Sequence, residues 1–121
     1  MSKNLATLSE TMQTIENVIN ENPEPISEMQ LIYQFDITGN EEGTYQLHLQ
    51  DGLAKVSKGV ETPAACTLIM SLENFHKFLS GSLNGTMAFM TGKLKIKGDM
   101  TKALKLETLL KQYNLSEYDE V

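Results

Sequence analysis

The sequence predicts an α+β fold: a five-stranded, mostly antiparallel sheet with its helices packed on one face. Three observations carry this prediction. Several short stretches alternate strictly between apolar and polar residues, which is the period of a half-buried strand. Apolar residues at steps of three and four recur around those stretches, which is the period of an amphipathic helix. Pro23, Pro25, Asp51-Gly52, Gly81, Gly92 and Gly98 punctuate the chain between them.

Taken in order, Leu5, Leu8, Met12, Ile15 and Ile19 predict a helix over 4–20, stopped by Pro23 and Pro25. Leu31, Tyr33, Phe35 and Ile37 alternate with Ile32, Gln34 and Asp36, a first strand. After the polar loop 39–43, Tyr45, Leu47 and Leu49 alternate with Gln46, His48 and Gln50, a second. Asp51-Gly52 is a two-residue hairpin turn, because both positions tolerate positive φ. Ala54 and Val56 continue a third strand to Lys58, and Cys66, Leu68 and Met70 form a fourth. Ser71 reads as the N-cap of a helix carrying Leu72, Phe75, Phe78 and Leu79 and closed by Gly81. Met87-Ala88-Phe89-Met90 is a short helix, and Lys93-Leu94-Lys95-Ile96-Lys97 a fifth strand. Gly98-Asp99 then turns and caps a last helix with Met100, Ala103, Leu104, Leu106, Leu109 and Leu110.

Clean alternation gives the sheet one apolar face and one polar face wetted by solvent. All helices must then cover the apolar face. The space between is bounded by Phe75, Phe78, Leu79, Met87, Phe89, Met90, Leu94, Ile96, Met100, Leu104 and Leu110. Met is flexible and polarizable and adapts to irregular or variable occupants. Seven Met and no Trp therefore suit either plain core filling or the wall of an apolar cavity.

At 121 residues the chain is expected to form one domain, with a core over 4–113 and an acidic tail over 114–121. The net charge is −6, with ten lysines and no arginine, which excludes a general nucleic-acid binder. The charge is uneven. From Lys93 to Lys111 six lysines stand against Asp99 and Glu107, leaving +4. These lysines are either a solvated surface or a landing patch for an anionic membrane, where each is worth about 1 kcal/mol. The single Cys66 rules out an internal disulfide framework. With no apolar run of transmembrane length and no secretion signal, a cytoplasmic location is expected. In the tail, Leu115 and Tyr118 are expected to fold back as a weak lid over the cavity mouth.

No residue pattern supports catalysis. His48 alternates outward beside Gln46 and Gln50, and His76 is expected on the polar side of its helix. Two isolated histidines and one cysteine give no metal-ligand spacing. There is no nucleophile elbow, and Gly81, Gly85 and Gly92 make no dinucleotide fingerprint. No cofactor is expected.

The run Ala88-Phe89-Met90, Gly92-Lys93-Leu94-Lys95-Ile96-Lys97-Gly98, Ala103-Leu104-Lys105-Leu106 closely resembles the lipid-binding domain of the sterol carrier protein type-2 family. Cys66-Thr67-Leu68-Ile69-Met70-Ser71, Phe75 and Gly81 add to it, and the resemblance spans about Ile32 to Lys111. It implies a five-stranded sheet with helices on one side and an apolar tunnel between. It also implies non-enzymatic binding and transfer of fatty acids, fatty acyl-CoA, phospholipid or sterol-like molecules. The eleven bounding residues named above would be lipid-binding. Lys93, Lys95, Lys97, Lys102 and Lys105 would touch an anionic membrane transiently, and the chain would be a monomer or weak dimer. The alternative is an accessory or dimerisation module whose apolar groove takes a protein partner. The ending Asp119-Glu120-Val121 departs from the peroxisomal address of some family members and favours a stand-alone bacterial member.

Overall fold

The computed structural model describes residues 7–39, 42–113 and 115. Helix α1 spans Leu8–Glu21 and starts later than its apolar spacing alone predicts. Thr7 decides the start through a capping box. Its hydroxyl accepts from the Glu10 N–H at 3.1 Å, while the Glu10 carboxylate accepts from the Thr7 N–H at 2.9 Å. Leu8, Met12, Ile15 and Ile19 form the buried stripe. A single 3₁₀ turn at Glu24–Ile26 holds Pro25 after the helix ends.

The strands are β1 (Leu31–Thr38), β2 (Gly43–Gln50), β3 (Leu53–Lys58), β4 (Cys66–Ser71) and β5 (Lys95–Gly98). Their order in the sheet is β3-β2-β1-β4-β5. Three pairings are antiparallel and the fourth, β1 with β4, is parallel, so the sheet is mixed. At the β2–β3 hairpin, Asp51 and Gly52 both take positive φ, 54° and 74°. Tyr33, Phe35, Ile37, Leu47, Leu49, Leu68 and Met70 all point into one core.

Helices α1, α2 (Leu72–Ser80) and α4 (Met100–Leu110) pack on that face. Phe75 of α2 meets Phe35 with ring centroids 5.2 Å apart. The Tyr33 hydroxyl donates to the Lys102 carbonyl of α4 at 2.7 Å. Helix α3 (Gly85–Met90) lies against α4.

The opposite face is not simply wetted, as the alternation suggested. Gln46 alternates onto it and yet is fully buried. Because β3 and β4 are not neighbours, segment 59–65 must cross β2 and β1. It does so over the Gln46 side chain, whose amide donates to the Thr62 carbonyl at 2.7 Å and to the Gln34 side chain at 2.9 Å. The Gln46 oxygen accepts from the Glu61 N–H at 3.2 Å.

His76 is a second correction. Expected on the polar side of its helix, it is fully buried, with Nε2 at 2.9 Å from the Thr11 hydroxyl of α1. Helix α2 packs on the sheet at β4 and β1, and His76 lies on the flank turned to α1, so it is buried with Phe75, Phe78 and Leu79, while Glu73, Asn74, Lys77 and Ser80 make the polar side.

Strand β5 also begins later than its alternation implies. The N–H groups of Lys93 and Leu94 both donate to the Ala88 carbonyl, at 2.8 and 3.1 Å, so these residues still belong to the turn after α3. At its end Gly98 (φ +95°) passes so close to β4 that a Cβ there would stand 2.7 Å from the Ala65 carbonyl oxygen. Asp99 then caps α4, accepting from the Thr101 N–H at 2.9 Å.

Candidate functional site

An apolar cavity of about 120 Å³ opens where α2, α3, β5 and α4 meet. Each element is fixed locally. Ser71 caps α2, accepting from the Asn74 N–H at 3.1 Å, and Asn84 caps α3, accepting from the Met87 N–H at 3.0 Å. Phe78, Phe89, Leu94, Ile96, Met100 and Leu104 line the space together with Gly85, Thr86, Ala103 and Glu107. Wider openings exist elsewhere, such as the groove of about 430 Å³ between Glu24–Met29 and α4. That groove is more open and mixes apolar Pro25, Met29 and Leu109 with polar Glu24, Glu28, Lys105 and Gln112.

Six of the residues that the sequence placed around the space are thus brought together. Phe75, Leu79 and Leu110 are buried in the core but do not line the cavity. Met87 and Met90 lie at the surface, 59% and 74% exposed. Helical geometry accounts for this. Gly85 and Ala88, three apart, form the buried face of α3, so Met87 and Met90 are carried outward. With Phe89, Met100 and Leu104, they are apolar side chains left exposed around this end of the molecule. Lys93, Lys95, Lys97 and Lys105 are exposed nearby in the chain and Lys102 is half-buried.

The sequence reading missed Gly85, Thr86, Ala103 and Glu107. Two of them were within reach, because Met100, Ala103, Leu104 and Glu107 follow the one-face spacing of a helix. Glu107 is the charged member of the lining. Its carboxylate accepts from the Gly85 N–H at 2.9 Å. A Cβ at position 85 would stand 2.6 Å from its other oxygen, so a larger residue there would push the end of this side chain aside.

Of the expected tail lid the structure describes Leu115, which does not reach this cavity. Leu115 is buried in the hydrophobic core and is absent from the cavity lining. The Tyr113 hydroxyl donates to the Asn22 carbonyl at 2.7 Å, tying the turn after α4 to the end of α1. Tyr118 lies outside the described residues.

Burial, with a smaller contribution from the Asp99 carboxylate, pushes the Cys66 thiol up to about 11. Tyr33 is raised as well, mainly by burial. A thiol held neutral is a poor nucleophile. Among the described residues no group of three or more His, Cys, Asp or Glu is placed to hold a metal ion. No helix among them is long and apolar enough to cross a membrane.

Comparison with known proteins agrees with the architecture. The chain is 44% identical over 115 residues to hydroxysteroid dehydrogenase-like protein 2 of Xenopus tropicalis, covering 93% of this chain and 27% of that protein. It thus spans about a quarter of the length of that relative. Its fold is similar to the solution structure of the sterol carrier protein domain 2 of Helicoverpa armigera, with TM-score 0.75 and 27% identity over 94% of this chain and 95% of that one. It is also similar in fold to sterol carrier protein 2 from Aedes aegypti in complex with palmitate, with TM-score 0.64 and 20% identity over 83% and 94%. A family profile described as the SCP-2 sterol transfer family matches residues 12–111. The resemblance in the Gly92–Gly98 and Ala103–Leu106 runs, the five-stranded mixed sheet and this profile converge: the chain belongs to the SCP-2 sterol transfer family.

Proposed function

We propose that this chain binds the apolar part of a lipid in the cavity between α2, α3, β5 and α4, and passes it to and from membranes without a chemical step. The observation that carries the reading is the cavity lining: Phe78, Phe89, Leu94, Ile96, Met100 and Leu104 converge on one space. The binding of palmitate by the Aedes aegypti relative supports a lipid as its occupant. Affinity would come from removing apolar surface from water, at about 25 cal/mol per Å². No cofactor, metal or nucleic-acid partner enters the mechanism.

The cavity is smaller than the roughly 300–1,000 Å³ of ordinary ligand sites. Admission of a lipid therefore requires α3 to move away from α4. This helix has six residues, shows only Gly85 and Ala88 buried, and runs into Gly92 at φ +82°. Such segments open at low free-energy cost. Exposed Met87, Phe89 and Met90 would meet the acyl region of a bilayer, and Lys93, Lys95, Lys97, Lys102 and Lys105 its anionic headgroups. The monomer or weak dimer then acts in the cytoplasm.

Native mass spectrometry of protein purified from cells, with lipid extraction, tests the reading. A lipid adduct that is displaced by an added acyl probe is the expected result. A chain that carries no lipid and binds no acyl or sterol probe at micromolar concentration overturns it.

A further inference from the structure

We infer that Glu107 makes the cavity select lipids with an uncharged, hydrogen-bond-donating head over lipids that end in a carboxylate. The inference rests on the lipid-binding reading above. Glu107 and Thr86 are the side chains with polar atoms in an otherwise apolar lining. The carboxylate is not adventitious there. It accepts from the Gly85 N–H at 2.9 Å, and its second oxygen lies 2.6 Å from where a Cβ at position 85 would stand.

Among the described residues no lysine forms an ion pair with Glu107. An ionised carboxylate only accepts hydrogen bonds. A fatty-acid head brought to this end offers a second acceptor of the same charge, in a space that strips water from both. A hydroxyl or amide N–H instead donates to the carboxylate, a charge-assisted bond. The same wall therefore repels one lipid class and orients the other.

Displacement of Nile red, a neutral dye, by dodecanol, methyl laurate and laurate near neutral pH tests the inference. Wild-type protein should rank them in that order, with laurate at least about tenfold weaker than dodecanol, since like charges across a desolvated contact are strongly disfavoured. Glu107→Gln keeps an oxygen acceptor for the Gly85 N–H. It should bring laurate to within about threefold of dodecanol. The Gly85 amide resonance reports whether the variant keeps its local fold, and the ester comparison in the wild type needs no variant. Equal displacement by laurate and dodecanol in the wild type overturns the inference alone. A ranking left unchanged by Glu107→Gln does the same. Failure of the dye and of all three lipids to bind overturns the lipid-binding reading and this inference with it.

Discussion

The side-chain amide of Asn20 pairs with both backbone groups of Ala54: its nitrogen donates to the carbonyl and its oxygen accepts from the N–H, each at 2.8 Å. One turn earlier on α1, the Glu16 carboxylate accepts from the Val56 N–H at 2.8 Å. Together they occupy polar groups that edge strand β3 would otherwise offer to another strand. Asn20→Ala should therefore lower stability by about 1–3 kcal/mol, the cost of leaving part-buried backbone groups unpaired. Urea unfolding measures it, and an unchanged midpoint would show that the cap is idle.

Gly98 and Gly52 separate two costs of adding a methyl group. Both have positive φ, but only Gly98 lies against backbone, 2.7 Å from the Ala65 oxygen, while nothing stands within 4 Å of the Cβ position at Gly52. Gly52→Ala should cost about 1–2 kcal/mol from backbone conformation alone. Gly98→Ala should cost clearly more, because β5 must also shift from β4. Equal unfolding midpoints for the two variants would refute the close approach.

Leu104→Glu and Met90→Glu distinguish the cavity from the surface. Leu104 lines the cavity and is 46% exposed, so the fold should survive the charge while acyl-probe binding weakens by more than about tenfold. Met90 does not line the cavity. Its replacement should leave probe affinity within about twofold and instead slow transfer to vesicles. Titration and vesicle-transfer assays read the two effects separately, and the reverse pattern would misplace the site.

Transfer to anionic vesicles should slow as salt rises, because exposed charges are screened over about 10 Å at 0.1 M ionic strength. Reversing Lys95 and Lys97, both exposed, should reproduce the slowing at low salt. A rate indifferent to salt and to both substitutions would leave the lysines as ordinary solvated side chains.

Cys66 gives a pH signature. Its folded value is raised from near 9 to about 11. In that window the unfolded thiol loses its proton while the folded one keeps it. Its contribution to stability is complete below about pH 9 and is lost as pH rises towards 11. Chemical denaturation across this range should show a falling stability, with a shallower fall in Cys66→Ala. Equal slopes would mean that the thiol titrates alike in both states.

Legibility in the sequence followed the range of the forces involved. Alternation placed Tyr33, Phe35, Leu47 and Leu68 on the core face because strand period and burial are local matters. Asp51-Gly52 fixed its turn for the same reason. Gln46 and His76 were misread because their burial depends on distant chain: segment 59–65 crosses above one, and α1 lies against the other. In α3 an unbroken apolar run concealed which face turns inward, and small Gly85 and Ala88, not Met87 and Met90, make the contact. Glu107 stood on the cavity face of α4 by spacing, but its charge argued for solvent until the Gly85 N–H supplied a partner.

All the cavity-lining residues fall between Phe78 and Glu107 in the chain. Helix α1 and strands β1 to β3 hold the sheet but contribute none of the lining. On the proposed reading, cargo preference is a portable property of one continuous segment. Exchanging that segment between relatives should carry ligand choice with it, while substitutions elsewhere in the domain tune stability and leave the cargo unchanged.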